Sequence, residues 1–115
     1  MPELSVRPAA VAGQFYPADP DRLRQEVRRY VDHASLPEDL GHVRAVVAPH
    51  AGYVYSGATA GYAFKALEQL PAQDWTVFLL GPAHRVPVSG VALGNYSAFR
   101  TPLGEIQGDP EFAQA

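Results

Sequence analysis

The chain has 115 residues, 47% hydrophobic and 18% charged, which is enough apolar surface for one ordinary domain, or part of one, and reads as globular, with disorder not the default. Its formal charge of −3, with arginines gathered at Arg22, Arg24, Arg28 and Arg29 on what reads as a solvated helix face, argues against nucleic acid as a partner. It has no cysteine, which excludes disulfides and thiolate metal sites within these residues; with no secretory apolar region and no membrane-length apolar run, the chain is expected in the cytoplasm and off the membrane.

After an extended, proline-bearing opening, DPDRLRQEVRRYVDHA predicts a surface helix. Asp19 is its N-cap, Pro20 lies in its first turn, and Leu23, Val27, Tyr30, Val31 and Ala34 recur at helical spacing. VRAVVA, residues 43–48, is short, β-branched and nearly all apolar, as expected of a strand covered on both faces. ATAGYAFKALEQL then predicts a helix with Ala58, Tyr62, Ala63, Ala66, Leu67 and Leu70 on one face and Ser56 or Thr59 as cap. WTVFLL, residues 75–80, reads as a second buried strand, and GVALG, residues 90–94, as a third. Strand, helix, strand at this spacing predicts a βαβ unit with 43–48 parallel to 75–80 in one sheet and a right-handed crossover, hence an α/β fold. At the end, GDPEFAQA places Asp109 as N-cap, Pro110 at the first helical position and Glu111 in the first turn of a helix with few residues to continue it. With so few strands available, this predicts the N-terminal part of a longer protein, with a strand edge or apolar sheet face left uncovered.

Both apolar runs end alike: VVAPH leads to His50 and LLGPAH to His84. Proline cannot continue a ladder, so Pro49 and Pro82 mark where each strand stops and place the histidines on the rim. Ligands of open α/β sheets bind beyond the carboxyl ends of parallel strands, so the two imidazoles are expected to face one cleft, their nitrogens within about 4 Å if they share an ion. Singly, each histidine also reads as a rim residue hydrogen-bonded to backbone. As a pair they read as metal ligands or as an acid and a base, and a metal would need a third ligand from elsewhere. His33 and His42 have no such partner and are expected at a helix end and on the surface.

Between His50 and the second helix lies AGYVYSG. Tyr53 and Tyr55 either pack over the sheet edge with their hydroxyls in water or line the cleft, while Gly52 and Gly57 permit turns and a close backbone approach. The Gly52-to-Gly57 spacing imitates a phosphate loop. Thr59 fits that motif's last position, but Ala58 stands where its phosphate-binding Lys is required, which argues against that kind of nucleotide binding.

RPAAVAGQFYPADPDRL, VAPHAGYVYSG, GPAH and TPLG, in this order and at these intervals, resemble the Memo family, known in microbes as AmmeMemoRadiSam system protein B. The resemblance covers essentially the whole chain, as the N-terminal part of a single Memo-like domain of residues 1–115. It implies an α/β fold similar to class III non-heme iron extradiol dioxygenases, a sheet flanked by helices with a cleft at the strand ends. It also implies that His50 and His84 bind a divalent transition metal, iron or copper more than zinc, and that Phe15 and Tyr55 line a peptide-binding cleft. The first of these aromatics is a tryptophan in the animal member, so Phe15 removes an indole donor. The family's cysteine ligand and its further histidine and acidic cleft residues fall beyond Ala115.

Three functions are implied. One is a metal-dependent oxidoreductase of dioxygenase type, in which Tyr53 or Tyr55 orients a substrate. Another is a module binding a peptide or small molecule on Phe15, Tyr55 and the histidines. A third is a non-catalytic subunit working with radical SAM and AMMECR-like proteins.

Overall fold

The computed structural model describes residues 5–113. Its elements are β1 (Val6–Arg7), α1 (Pro20–His33), α2 (Tyr53–Glu68), β2 (Ala98–Thr101), β3 (Gly104–Gln107) and α3 (Pro110–Ala113), an α/β arrangement of a small sheet and packed helices.

α1 begins as its sequence dictates. The Asp19 carboxylate accepts the Arg22 N–H at 2.8 Å, Pro20 occupies the first turn, and Leu23, Val31 and Ala34 are buried while Val27 and Tyr30 are half-buried. His33 is the last residue of α1 and is exposed, and His42 is exposed in the following segment.

The second helix starts earlier than its apolar period predicts. Gly52 is the N-cap; its carbonyl accepts the N–H groups of Tyr55 and Ser56 at 2.9 and 3.0 Å. Ser56 is therefore inside the helix, its Oγ donating to the Ala51 carbonyl at 3.0 Å, and Thr59 lies further in still; neither is the cap. Glycines masked the first turn, because Gly57 reads as a breaker in sequence. In the fold Gly57 and Gly61 sit where α1 crosses α2, and both are buried. A Cβ on Gly57 would come within 2.7 Å of the Tyr30 ring, and one on Gly61 would overlap the Tyr30 backbone carbonyl. The buried face of α2 is thus Gly57, Gly61 and Ala66, with Ala58 and Tyr62 turned outward. The glycines serve close helix approach, so Gly57 forms no turn.

Polar groups fasten the helix pair at its far end. Arg28 donates to both Glu68 carboxylate oxygens at 3.0 and 2.9 Å and to Asp32 at 3.0 Å, and Lys65 Nζ donates to the Val31 carbonyl near the end of α1. Glu68 first, then Asp32, holds the Arg28 proton above its ordinary affinity.

The sheet has the order β1-β2-β3. β1 is parallel to β2, with Val6 beside Ala98 and Arg7 beside Phe99; β2 and β3 form an antiparallel hairpin in which Arg100 faces Glu105 and bonds it at 2.7 Å. TPLG is the hairpin's turn. Thr101 Oγ1 accepts the Leu103 N–H at 3.1 Å, and Gly104 holds φ +130°, where a side chain would be strained.

The βαβ unit expected over 43–48 and 75–80 is not formed: neither run, nor 90–94, is a strand, and the sheet is built from other residues. Strands with apolar residues on both faces gain stability only when both faces are covered. Here Val47 is 99% and Leu79 93% exposed, so among the described residues nothing covers these positions to offset the ordering cost of a ladder. Residues 75–80 are held instead by side chains. Trp75 Nε1 donates to the Pro71 carbonyl at 3.0 Å, Thr76 Oγ1 to Asp109 at 3.3 Å, and Phe78 meets Phe112 edge-to-face with centroids 5.0 Å apart. Asp109 caps α3 as expected, accepting the Glu111 N–H at 3.1 Å.

Candidate functional site

The site is assembled from three segments. In the first, Gly13 takes φ +83° and donates to the Tyr16 carbonyl at 2.7 Å, while the Gln14 and Phe15 N–H groups turn back to Val11. This tight loop leaves the Phe15 carbonyl free to accept the Tyr53 N–H at 2.8 Å. One otherwise unsatisfied donor of the α2 N-terminus is thereby satisfied, and Phe15 is brought beside Gly52.

The second segment is Pro49 to Gly52, which places His50 one short turn before α2. The third is Pro82 to His84. The structure brings the two histidines together: His50 Nε2 lies 3.0 Å from His84 Nε2, with ring centroids 5.2 Å apart and planes inclined at 38°. Both rings are exposed. At this distance one ring donates and the other accepts if both are neutral, or both nitrogens can turn lone pairs to one ion. Among the described residues no three His, Cys, Asp or Glu side chains gather as a metal-binding group, so the pair supplies two donors and no third.

His50 also borders a cavity of about 480 Å³ between α1 and α2, where Phe15 and Tyr53 are among the lining residues. Tyr53 and Tyr55 belong to the first turn of α2, but they part company: Tyr53 turns in toward the cavity, and Tyr55 is 87% exposed and outside its lining. His84 likewise stands outside the cavity, reaching only the His50 ring. Tyr53 packs against Tyr16 at 5.7 Å and edge-to-face against Tyr30 at 6.1 Å, and Tyr30 Oη donates to the Tyr53 carbonyl at 3.2 Å. Burial pushes the Tyr53 phenol above its ordinary pKa, assisted by Tyr16, Glu26 and Tyr30, so it is a neutral hydroxyl at physiological pH.

Sequence reasoning did not single out Tyr16, Tyr30 or Phe64, which complete the aromatic wall. Tyr30 carried a signal only as one apolar position of α1; its pairing with two glycines of α2 lay in the glycine spacing, which read as turn chemistry.

An α/β chain with two converging histidines, each following a proline, beside an aromatic cavity is the class that these observations define. Residues 7–115 match the family described as Memo-like protein. A MEMO1 family protein of Methanopyrus kandleri is 44% identical over 95% of this chain and 41% of its own length. The memo-1 homolog of Caenorhabditis elegans is 40% identical over 87% of this chain and 27% of its own, and the mouse protein MEMO1 is 35% identical over 90% and 33%. The chain belongs to the Memo family, and it spans less than half the length of these relatives. No helix of the described residues is long and apolar enough to cross a membrane.

Proposed function

We propose that His50 and His84 are two ligands of a divalent transition metal, iron or copper more than zinc, and that the cleft serves metal-dependent redox chemistry of the kind found in extradiol dioxygenases. The observation that carries this is the 3.0 Å separation of the two Nε2 atoms. Imidazoles at ~2.0–2.1 Å from one ion, in cis octahedral or tetrahedral positions, stand roughly 2.9–3.4 Å apart, so the pair needs little rearrangement to accept one. The preference for iron or copper rests on the likeness to the dioxygenases, since imidazole alone suits zinc equally.

Bound there, the metal would supply one-electron transfer and Lewis acidity. This chain's residues supply the rest. His50 is set by the turn into α2, His84 meets it from the other side, Phe15 and Tyr53 supply aromatic surface in the cavity that His50 borders, and the neutral Tyr53 hydroxyl can donate a hydrogen bond to a ligand. Fe(II) or Cu(II) should bind the metal-free protein, and His50→Ala or His84→Ala should each lower its affinity by about tenfold or more while circular dichroism stays unchanged. Undiminished binding by both variants would overturn the reading.

A second reading, a module that binds a peptide or small molecule without chemistry, is favoured by the exposure of Phe15 (45%), which lines the cavity with His50, and of Tyr55 in the first turn of α2. Ligand binding that survives chelation of all metal would select it.

A further inference from the structure

We propose that the cavity between α1 and α2 binds a small, flat, neutral aromatic molecule and presents it to the His50 edge of the site. The proposal deepens the reading above and rests on His50 and His84 being the working groups.

Three observations carry it. The cavity, about 480 Å³, is of small-ligand size, within the usual range of about 300–1,000 Å³. Its walls are mostly rings and aliphatic side chains, including Phe15, Tyr16, Tyr30, Tyr53 and Phe64, and aromatic faces and edges of this kind favour contact with a further ring. Its polar groups are few: the Ser56 hydroxyl donates to the Ala51 carbonyl and the Tyr30 hydroxyl to the Tyr53 carbonyl, which leaves His50 and the phenols of Tyr16 and Tyr53 to meet a polar group of the ligand.

Charge selects the class further. No Lys or Arg is among the residues lining the cavity, and Glu26 is near enough to act on the Tyr53 phenol. In the metal-free protein an anionic ligand would therefore lose hydration without gaining a counter-charge, whereas a neutral ring loses little and buries its faces.

The test uses naphthol, a neutral fused ring that reports binding by its own fluorescence, with naphthalene sulfonate as the anionic probe of the same ring size. Metal-free protein should bind naphthol saturably and the sulfonate about tenfold more weakly or worse. Ala60→Leu, from the α2 wall, and Val27→Phe, from the α1 wall, should each weaken naphthol binding about tenfold while metal uptake is unchanged. His84→Ala, outside the cavity, should do the reverse, weakening metal uptake and leaving naphthol binding intact. Loss of metal uptake alone from every protein tested would sink the metal reading and not the cavity. Absence of saturable naphthol binding, equal binding of the sulfonate, or indifference to both filling substitutions would overturn the proposal and mark the cavity as a packing void.

Discussion

Gly61→Ala sets two effects of opposite sign against each other, and the structure decides between them. In an exposed helix interior the change would stabilise, since alanine is better than glycine by about 0.8–1.0 kcal/mol. At Gly61 the new Cβ overlaps the Tyr30 carbonyl oxygen and comes within 2.8 Å of its carbon. A backbone carbonyl, even in the last turn of α1, cannot swing aside as a side chain can, so the helices must separate. Overpacking of this kind costs about 1–3 kcal/mol, and a backbone clash belongs at the upper end. The net expectation is a loss of roughly 2 kcal/mol, or a fall in Tm on the order of 6–12 °C for a chain of this size. Ala58→Gly, on the exposed side of α2, provides the propensity term alone and should cost about 1 kcal/mol. Gly57→Ala should fall between the two, because its clash is with the Tyr30 ring, 2.7 Å away, which can rotate. Thermal and urea unfolding of the three variants would measure this series. A Gly61→Ala protein as stable as the parent would refute the close crossing of α1 on α2, and with it the placement of Tyr30 against the first turn that carries Tyr53.

Asp19→Ala should cost about 1 kcal/mol in urea unfolding through loss of the α1 cap, and Asp19→Asn should recover most of it. Gly104→Ala should destabilise by about 1–3 kcal/mol from backbone strain alone, because φ is +130° there and no atom stands within 4 Å of the new methyl. Tyr53 should be the late-titrating phenol in an absorbance titration, and Tyr53→Phe should remove that late phase. Its folded pKa is raised, so its contribution to stability is complete below the ordinary tyrosine value near 10 and is lost as pH rises through the folded value. A Tyr53 phenol that titrates at or below the ordinary tyrosine value would contradict its burial in the aromatic wall.

What could be read from the sequence was chiefly local chemistry. Asp19–Pro20 and Asp109–Pro110 act as helix starts because a cap needs only the next few residues. The apolar positions of α1 were legible for the same reason. The expected strands 43–48, 75–80 and 90–94 depend on distant partners, and their composition says only that they would be stable if covered. Conversely, the hairpin of β2 and β3 went unread although its turn was in plain view: Pro102 and Gly104 stand at the positions a tight turn favours, between Ala98–Thr101 and Glu105–Gln107. Its strands have no strong alternation, and β3 is exposed throughout, so periodicity gave no support. The start of α2 was hidden by glycines whose role is packing, which no local rule reveals.

The histidines meet although the strands that were expected to aim them are absent. The two sides of the pair are held differently. His50 precedes a helix start fixed by the Gly52 carbonyl, the Ser56 hydroxyl and the Phe15 carbonyl, all within three residues on either side of Tyr53 or in direct contact with it. His84 sits in 81–90, a wholly exposed segment for which, among the described residues, the contact with His50 is the hydrogen bond present. A ligand bridging both rings would therefore do unequal work: it finds His50 already placed and must supply the ordering of His84. Ordering a segment costs on the order of 1–2 kcal/mol per residue fixed, so the affinity of the pair depends on how firmly 81–90 is held before the ligand arrives. The side of the site that sequence motifs marked most plainly, GPAH, is thus the side whose geometry owes least to its own local structure.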